Sequence, residues 1–296
     1  MKLDPVSLKI FLHIVEQGSI TGAADRCHIA ASAASKRISD LEDLFKTPLL
    51  ARTNKGVVAT PAGIALTPMA RNVLHELDGI YTHMHEYSRG MRGLVRVAAN
   101  LSAITQFLPL AIKQFLVAYP RVQVQLHEDV SAGVTKAVMD NMADIGIFTA
   151  CANDQHLEVF PYHKDELALV TPLDHPLVGR QRVPFVDTLA HDFVGLHNGS
   201  AINRQLIKVA SELGRTIKMA IQVTSFDAAC MMVDAGLGIA ILPRTAALPY
   251  LASHRLNVVG LSDDWTVREL KICVRALSAL SAPAQLLVQH LQNGIC

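Results

Sequence analysis

The sequence predicts a mixed α/β protein with at least two domains. Three observations favour this class: a length of 296 residues, a helix-rich N-terminal part, and short apolar runs that alternate with helical stretches from Leu94 onward. Because a typical domain has roughly 100 to 200 residues, the chain is long enough for two cores. We expect a mainly helical domain over residues 1–60, a linker helix over 61–90 and an α/β domain over 91–296.

Composition limits the classes of protein to which the chain can belong. Half of the residues are apolar, but no apolar stretch reaches the roughly 18 residues of a membrane span. The first residues lack the apolar core and cleavage site of a secretory signal. Five widely spaced cysteines argue against a disulfide framework or a zinc knuckle. We therefore expect a soluble cytoplasmic protein with no metal and no cofactor.

Capping residues mark the first two helices. Asp4 and Pro5 predict the start of a helix that ends at Gly18, and its apolar stripe consists of Leu8, Phe11, Leu12 and Val15. Ser19 then predicts the start of a second, shorter helix, and a tight turn at residues 28–29 leads to a third. Two short helices joined by a sharp turn form a helix-turn-helix.

The third helix has one face for the core and one face for the DNA major groove. Its inward face consists of Ala34, Ile38, Leu41 and Phe45. Its outward face carries Ser32, Ser35, Lys36 and Ser39. Short or flexible polar side chains let a helix lie deep in the roughly 12 Å wide groove. Lys36 and Arg37 dominate the first turns, and the acidic residues of the helix lie further along.

The net charge of the whole chain is +1, so attraction to nucleic acid has to come from a local patch. Residues 26–55 supply one, with basic side chains at Arg26, Lys36, Arg37, Lys46, Arg52 and Lys55. The acidic residues opposed to them are Asp40, Glu42 and Asp43. A solvated surface helix remains the alternative interpretation, because charge runs are commonly no more than that.

A hairpin and a long helix follow the third helix. Residues 49–53 and 57–60 predict two strands around a turn, which form a wing, and its expected contacts with DNA are Arg52, Thr53 and Lys55. Thr60 and Pro61 begin a fourth helix, in which Pro68 introduces a kink. Its apolar residues follow the heptad spacing of a two-stranded coiled coil: Leu66, Ala70, Val73, Leu77, Ile80, Met84 and Tyr87. The alternative is a helix that lies on its own core.

Residues 19–37 with Asp40, Leu41 and Glu42, followed by residues 49–63, resemble the DNA-binding segment of LysR-type transcriptional regulators. Residues 144–147 and 236–243 are similar to signatures of the family's effector domain. The resemblance spans the chain and implies a winged helix-turn-helix, a dimerising linker helix and a two-lobed domain shaped like a periplasmic binding protein. It also implies dimers that pair into tetramers. The chain departs from the family at residues 30–32, where Ala-Ala-Ser stands instead of Ser-Gln-Pro.

The resemblance implies a lobe I of about residues 91–162 and 266–296 and a lobe II of about residues 163–265. In open α/β sheets, ligands bind beyond the carboxyl ends of strands, where helix N-termini present free N–H groups. The residues that follow the predicted strands, and hence our candidates for effector binding, are Asn100, Leu101, Ser102, Ser131, Phe148, Thr149, His197, Ser200, Thr224, Ser225 and Phe226. We expect the effector to be a small organic acid or similar polar anion. Alternatively, Ser131, Ser200 and Ser225 are simply helix caps.

Other functions receive less support from the sequence. It has no Gly-x-Ser-x-Gly elbow and no Gly-Lys-Thr phosphate loop, so we expect no enzyme. His83 and His85 diverge on a helix and do not share a metal. Cys151 is a candidate thiol near the predicted cleft, although a small core residue is the other interpretation. A stand-alone binding protein and an enzyme of unknown chemistry remain the alternatives to a regulator that binds promoter DNA.

Overall fold

The computed structural model describes residues 3–53, 56–89, 92–149, 157–251 and 256–294. Lys55 and Cys151 lie outside the described residues, as do the side chains of His83, Met84, His85 and Tyr87. The described residues form two compact units, one with the helix-turn-helix and one with the α/β domain. Within these ranges, no helix is both long enough and apolar enough to cross a membrane.

The first unit has the predicted order of helices and strands. Its elements are α1 (Pro5–Gln17), α2 (Ile20–Arg26), α3 (Ala31–Phe45), β1 (Leu50–Thr53), β2 (Gly56–Ala59) and α4 (Pro61–Arg89). Asp4 and Ser19 cap the first two helices as expected, and Gly18 ends α1 in the left-handed conformation. The prediction of a winged helix-turn-helix is therefore confirmed.

The core of this unit corrects one expectation about α3. Ala34, Ile38 and Leu41 are buried, but Phe45 is 40 % exposed. Leu44 packs against the core near the end of the helix, and Leu49 is buried just beyond it. The prediction for Phe45 was wrong because the chain turns at the end of α3, and the residue after the turn fills the space.

Backbone contacts fix the hairpin to the helices. The Val57 N–H donates to the Gly18 carbonyl over 2.8 Å, and Gly56 lies against the same carbonyl with φ 124°. A Cβ atom at position 56 would lie 2.5 Å from that oxygen, so a glycine is required there. On the other side, Glu42 Oε1 accepts hydrogen bonds from the N–H groups of Leu49 and Leu50. These contacts hold the wing in a fixed place beside α3.

The start of the linker helix α4 fits the interpretation of a helix that lies on its own core. It begins at Pro61, and the Thr60 hydroxyl accepts a hydrogen bond from the Gly63 N–H. Ala70 is buried and Leu66 packs against the helix-turn-helix core, so the start of the helix does lie on its own core. Val73 and Ile80, further along, are 41 % and 60 % exposed. The apolar stripe therefore extends beyond the part that the unit itself covers.

The second unit contains the alternating strands and helices. Its strands are β3 (Gly93–Ala99), β4 (Val122–Glu128), β5 (Ile145–Thr149), β6 (Glu158–Pro172), β7 (Arg182–Val183), β8 (Asp192–Leu196), β9 (Lys218–Val223), β10 (Ala240–Pro243), β11 (Leu256–Leu261) and β12 (Val267–Val274). Its helices are α5 (Leu101–Gln106), α6 (Leu108–Ala118), α7 (Ser131–Met139), α8 (Phe185–Thr188), α9 (Ala201–Glu212), α10 (Phe226–Asp234), α11 (Arg244–Leu251) and α12 (Ala282–Asn293). The sequence patterns predicted most of these strands and helices. The elements that they did not predict are β7, β11, β12, α5, α8, α11 and α12.

Strand β6 belongs to two halves of one sheet. The strands follow the order β4-β3-β5-β12-β6-β11-β7, and β10 also pairs with β6. The first part of β6, up to Glu166, pairs with β12, whereas Leu167–Pro172 pairs with β10 and β11. One hydrophobic core covers the β3 side of this sheet and a separate core covers the β10 side. The mixed α/β class with a two-lobed effector domain is thus confirmed.

The cap of α1 gives a testable prediction for stability. The N–H groups of Val6 and Ser7 donate to Asp4 Oδ1 over 2.9 and 3.0 Å, and the Ser7 hydroxyl donates to Oδ2. Burial alone would raise the pKa of Asp4, but these hydrogen bonds and the charge of Arg37 outweigh it and lower the pKa. Asp4→Ala should therefore reduce the free energy of unfolding at pH 7 by about 1 kcal/mol.

A carboxylate with a lowered pKa stabilises the fold above its unfolded pKa of about 3.9, and this contribution is lost as the pH falls through the folded pKa. The difference between wild type and Asp4→Ala should therefore shrink below about pH 4. Thermal unfolding followed by circular dichroism between pH 7 and pH 2 measures it. Asp4→Asn is the matched control, because Asn also caps helices well. An Asp4→Ala protein as stable as wild type at pH 7 would contradict the prediction.

Candidate functional site

The DNA-facing side chains predicted on α3 lie on its outer surface. Ser32, Lys36 and Ser39 are exposed, and Ser35 is half-buried. Arg37 points elsewhere: its Nη1 lies 3.4 Å from Asp4 Oδ1 and 3.5 Å from Ser7 Oγ, so it ties α3 to the start of α1. Lys36 is thus the basic residue of this pair that the structure leaves on the outer face.

The start of α3 has no capping side chain. Ala30 occupies the N-cap position with extended backbone and makes no side-chain hydrogen bond. The first N–H groups of α3 therefore remain available to donate hydrogen bonds to water or to a phosphate oxygen. On the wing, Arg52 and Thr53 are both exposed in β1, and the Thr53 hydroxyl donates to the Gly56 carbonyl.

The α/β unit contains a cavity of about 350 Å³ at the carboxyl ends of its strands. Nine of the residues predicted for the effector line it: Asn100, Leu101, Ser102, Ser131, Thr149, His197, Ser200, Thr224 and Phe226. They lie at the end of β5, in the loops after β3, β8 and β9, and in the first residues of α5, α7 and α10. The rule that ligands bind beyond strand ends therefore located the residues of a real cavity.

Two of the predicted residues lie away from the cavity. Phe148 is fully buried among Val134, Val138 and Cys273, because successive side chains of a strand point to opposite faces and Thr149 has the face toward the cavity. Ser225 caps α10, and its hydroxyl accepts a hydrogen bond from the Ala228 N–H. For Ser225 the interpretation as a helix cap is the correct one.

Other lining residues were not expected from the sequence: Glu128, Asp129, Val130, Leu196, Ala201, Ile202 and Arg268. Glu128 is the last residue of β4 and Asp129 follows it. This strand end was not included among the candidates, so the strand-end rule would have found both. Arg268 lies on β12, which the sequence patterns did not indicate. It is brought to the cavity by pairing with β6, more than 100 residues away along the chain.

Polar side chains meet at the floor of the cavity. Asn100 Nδ2 lies 3.3 Å from Ser131 Oγ and 3.4 Å from Thr149 Oγ1, and the two hydroxyls lie 3.2 Å apart. Asn100 Oδ1 also accepts a hydrogen bond from the Ala103 N–H and so caps α5. All three residues are more than nine-tenths buried. This cluster fixes the ends of β3 and β5 against the start of α7.

Four helices begin around the cavity, namely α5, α7, α9 and α10. Each helix N-terminus has N–H groups without partners inside the helix and a partial positive charge. Ser200, at the N-cap of α9, is 8 % exposed and makes no capping hydrogen bond. Such an arrangement can bind polar groups, above all groups with negative charge.

A winged helix-turn-helix joined to an α/β domain with a cleft for a small molecule defines a class of DNA-binding protein that responds to a ligand. Two family models match the chain: the bacterial regulatory helix-turn-helix protein of the lysR family over residues 6–64, and the LysR substrate binding domain over residues 88–295. The chain therefore belongs to the LysR family of DNA-binding transcription regulators.

Individual relatives agree with this assignment. The chain is 28 % identical over 286 residues to the uncharacterized HTH-type transcriptional regulator YbhD of Escherichia coli, covering 96 % of this chain and 90 % of that one. A variant of full-length OxyR from Pseudomonas aeruginosa has the same fold, with a TM-score of 0.75, 20 % identity and coverage of 99 % and 94 %. Full-length CbnR in complex with its target DNA gives a TM-score of 0.69 at 20 % identity, with coverage of 98 % and 99 %.

The cluster at the floor of the cavity gives a prediction for stability. Asn100→Ala removes a helix cap and two buried hydrogen-bond contacts, so the free energy of unfolding should fall by about 2 kcal/mol. Urea unfolding of the full chain, followed by the fluorescence of Trp265, measures this change. Asn198→Ala is the control, because Asn198 is exposed and accepts a single side-chain hydrogen bond from Gln222. An equal fall in the free energy of unfolding in the two variants would show that the buried cluster stabilises the fold no more than an exposed hydrogen bond does.

Proposed function

We propose that this chain senses a small organic acid or similar polar anion and, in response, changes the geometry with which it binds promoter DNA. The observation that carries the proposal is the cavity lined by buried hydroxyls and bordered by four helix N-termini. Helix N-termini favour anions because their N–H groups and their dipole both face the ligand. The effector contacts that we propose are the nine predicted residues that line the cavity.

The cavity also has an acidic border, which limits where an anion can bind. Glu128 and Asp129 line it beside the start of α7, and Asp129 Oδ1 accepts a hydrogen bond from the Val130 N–H. Like charges repel, so the acidic group of an effector belongs on the side of α5, α9 and Arg268. Hydroxyl or amine groups of the same molecule would find acceptors at the two carboxylates.

For DNA binding we propose contacts from Ser32, Ser35, Lys36, Ser39, Arg52 and Thr53, with Lys55 outside the described residues. Lys36 and Arg52 are exposed cations suited to phosphates, which position the protein but carry no sequence information. Arg37 was also predicted as a contact, but its hydrogen bonds to α1 make it first of all a support for α3. CbnR, which has the same fold, has been solved with its target DNA.

We propose that two copies pair through α4. Val73 and Ile80 lie seven residues apart, the spacing of a coiled-coil seam, and both are exposed in the single chain. A symmetric dimer would present two α3 helices to half-sites about one helical turn, or a multiple of it, apart. An effector that prefers one arrangement of lobes or subunits then shifts the spacing of these helices. Dimers that pair into tetramers would extend the same mechanism.

Regulators of this family act by binding rather than by catalysis, and we propose the same for this chain, in the cytoplasm where DNA and metabolites are both present. The domain limits that we propose are residues 1–60, 61–90 and 91–296. Thiol chemistry receives no support from the described cysteines. Burial and the charge of Asp227 raise the pKa of the Cys230 thiol to about 11, so it carries little of the reactive thiolate.

The DNA-binding proposal predicts a specific loss for Lys36→Ala. The variant should bind all duplexes more weakly than wild type, and the slope of log affinity against log salt should fall by about one, because one phosphate contact is lost. Gel shifts with the region upstream of the protein's own gene, at several salt concentrations, measure both. Lys9→Ala is the control, because Lys9 is an exposed lysine on α1. An unchanged slope for Lys36→Ala would remove it from the interface.

The effector proposal predicts a different pattern for Ser102→Ala with Ser131→Ala. This double variant should bind the same DNA as wild type and lose the response to the effector, since both hydroxyls line the cavity and neither lies in the DNA-binding unit. Footprints with and without small organic acids compare the two properties. A response that survives in the double variant would exclude both hydroxyls from the effector site.

A further inference from the structure

A buried ion pair lies where β6 passes from one core to the other. Asp165 and Arg268 are direct partners in the antiparallel ladder of β6 and β12. Arg268 Nε donates to Asp165 Oδ1 over 2.8 Å, and its Nη2 donates to Oδ2. The Arg268 side chain is only 10 % exposed, and the Asp165 side chain is only 2 % exposed. Because burying two charges costs free energy that a pair rarely returns in full, stability alone does not account for this pair.

Further hydrogen bonds connect this pair to both lobes. Arg268 Nη2 also donates to Ser102 Oγ over 3.1 Å, and Gln106 Nε2 donates to Asp165 Oδ2 over 3.1 Å. Gln106 Oε1 in turn accepts a hydrogen bond from the Thr245 hydroxyl at the start of α11. Ser102 and Gln106 lie on α5, whose Ala103 belongs to the core on the β3 side, whereas Ala247 of α11 belongs to the core on the β10 side. The guanidinium of Arg268 is therefore held in a fixed orientation.

Arg268 also lines the effector cavity. Its three hydrogen bonds use Nε and Nη2, and Nη1 has no hydrogen-bond partner among the described residues. Ser102, which accepts from Nη2, lines the same cavity. A guanidinium presents its N–H groups in a planar fork that matches the two oxygens of a carboxylate. Nη1 together with the neighbouring hydroxyl therefore offers unused donors to an acidic group.

We propose that Arg268 binds the acidic group of the effector and that Asp165 is the positioning residue that orients Arg268. This inference rests on the proposed function and assigns the charge recognition of that site to one residue. The carboxylate of the effector takes the free donors of Nη1, while Asp165 keeps the opposite edge of the guanidinium. The acidic border of Glu128 and Asp129 then faces the uncharged or cationic end of the molecule.

The test uses the full-length protein and pairs of compounds that differ in charge and by one methyl group for each carboxyl group. The probes are malonate, succinate, citrate, benzoate and shikimate, each with its neutral methyl ester, and the readout is the rise in thermal unfolding temperature across a titration. Wild type should respond to at least one carboxylate and not to its ester. Arg268→Gln should lower the affinity for that carboxylate by roughly 10- to 100-fold, because a charge-assisted hydrogen bond is lost. It should also abolish the preference for the carboxylate over its ester.

Further variants separate recognition from folding. Arg268→Gln leaves Asp165 buried without a counter-charge, so the double variant Asp165→Asn with Arg268→Gln provides a neutral pair of nearly the same shape. It should fold and also lack the preference for the carboxylate. Arg268→Lys should keep part of the preference, and Asp165→Asn should reduce it without changing the fold seen by circular dichroism. Arg180→Gln is the matched control, since Arg180 is an exposed arginine of the same unit.

Each outcome decides between the two proposals. A carboxylate that binds the neutral double variant as tightly as wild type overturns the role of Arg268 while the sensing function stands. If wild type responds only to the esters, the role of Arg268 is overturned, and so is the proposal that the effector is an acid or anion. If no probe of either kind changes the unfolding temperature or the DNA footprint of wild type, this inference is overturned. If wild type also binds no duplex DNA, the proposed function fails with it.

Discussion

The effector domain depends on one strand, β6, whose backbone hydrogen bonds hold two separate cores in one sheet. Its first part pairs with β12 and its second part pairs with β10 and β11. Since every ladder hydrogen bond restricts the strand, the two cores cannot separate without breaking the sheet. Two of the helices that border the cavity follow β3 and β4 of this sheet, and the other two follow β8 and β9, which form a separate two-stranded sheet.

Sequence patterns predicted those parts of the structure that depend on interactions between residues close together in the chain. The caps at Asp4 and Ser19, the glycine turn at Gly18 and the hairpin of the wing all depend on residues within a few positions. The predicted strands are also local, since runs of apolar residues indicate buried strands of a parallel sheet. Because ligands bind where such strands end, nine cavity residues could be predicted without knowing the order of strands.

The remaining features depend on contacts between distant parts of the chain. Phe45 fits the inward face of α3 by spacing, but the turn that follows the helix brings Leu49 into the core instead. Arg37 carries the charge expected of a DNA contact, yet Asp4 and Ser7 hold its guanidinium. Arg268 shows the same limit most clearly. The family resemblance put a boundary between the lobes next to it, but no local pattern marks Arg268 itself as a ligand residue, and the pairing of β12 with β6 brings it to the cavity.

The place where β6 changes partners lies beside the ion pair of Asp165 and Arg268. Glu166 is the last residue of the strand that pairs with β12, and Leu167 is the first that pairs with β10. The two ladders therefore meet between adjacent residues of one strand, and at this point the backbone of β6 alone continues from one core to the other. Asp165 and Arg268 lie directly beside that point, and their hydrogen bonds reach Ser102 on one side and, through Gln106, Thr245 on the other. The acidic group that we propose at Arg268 would therefore bind to a side chain whose hydrogen-bond network reaches both cores.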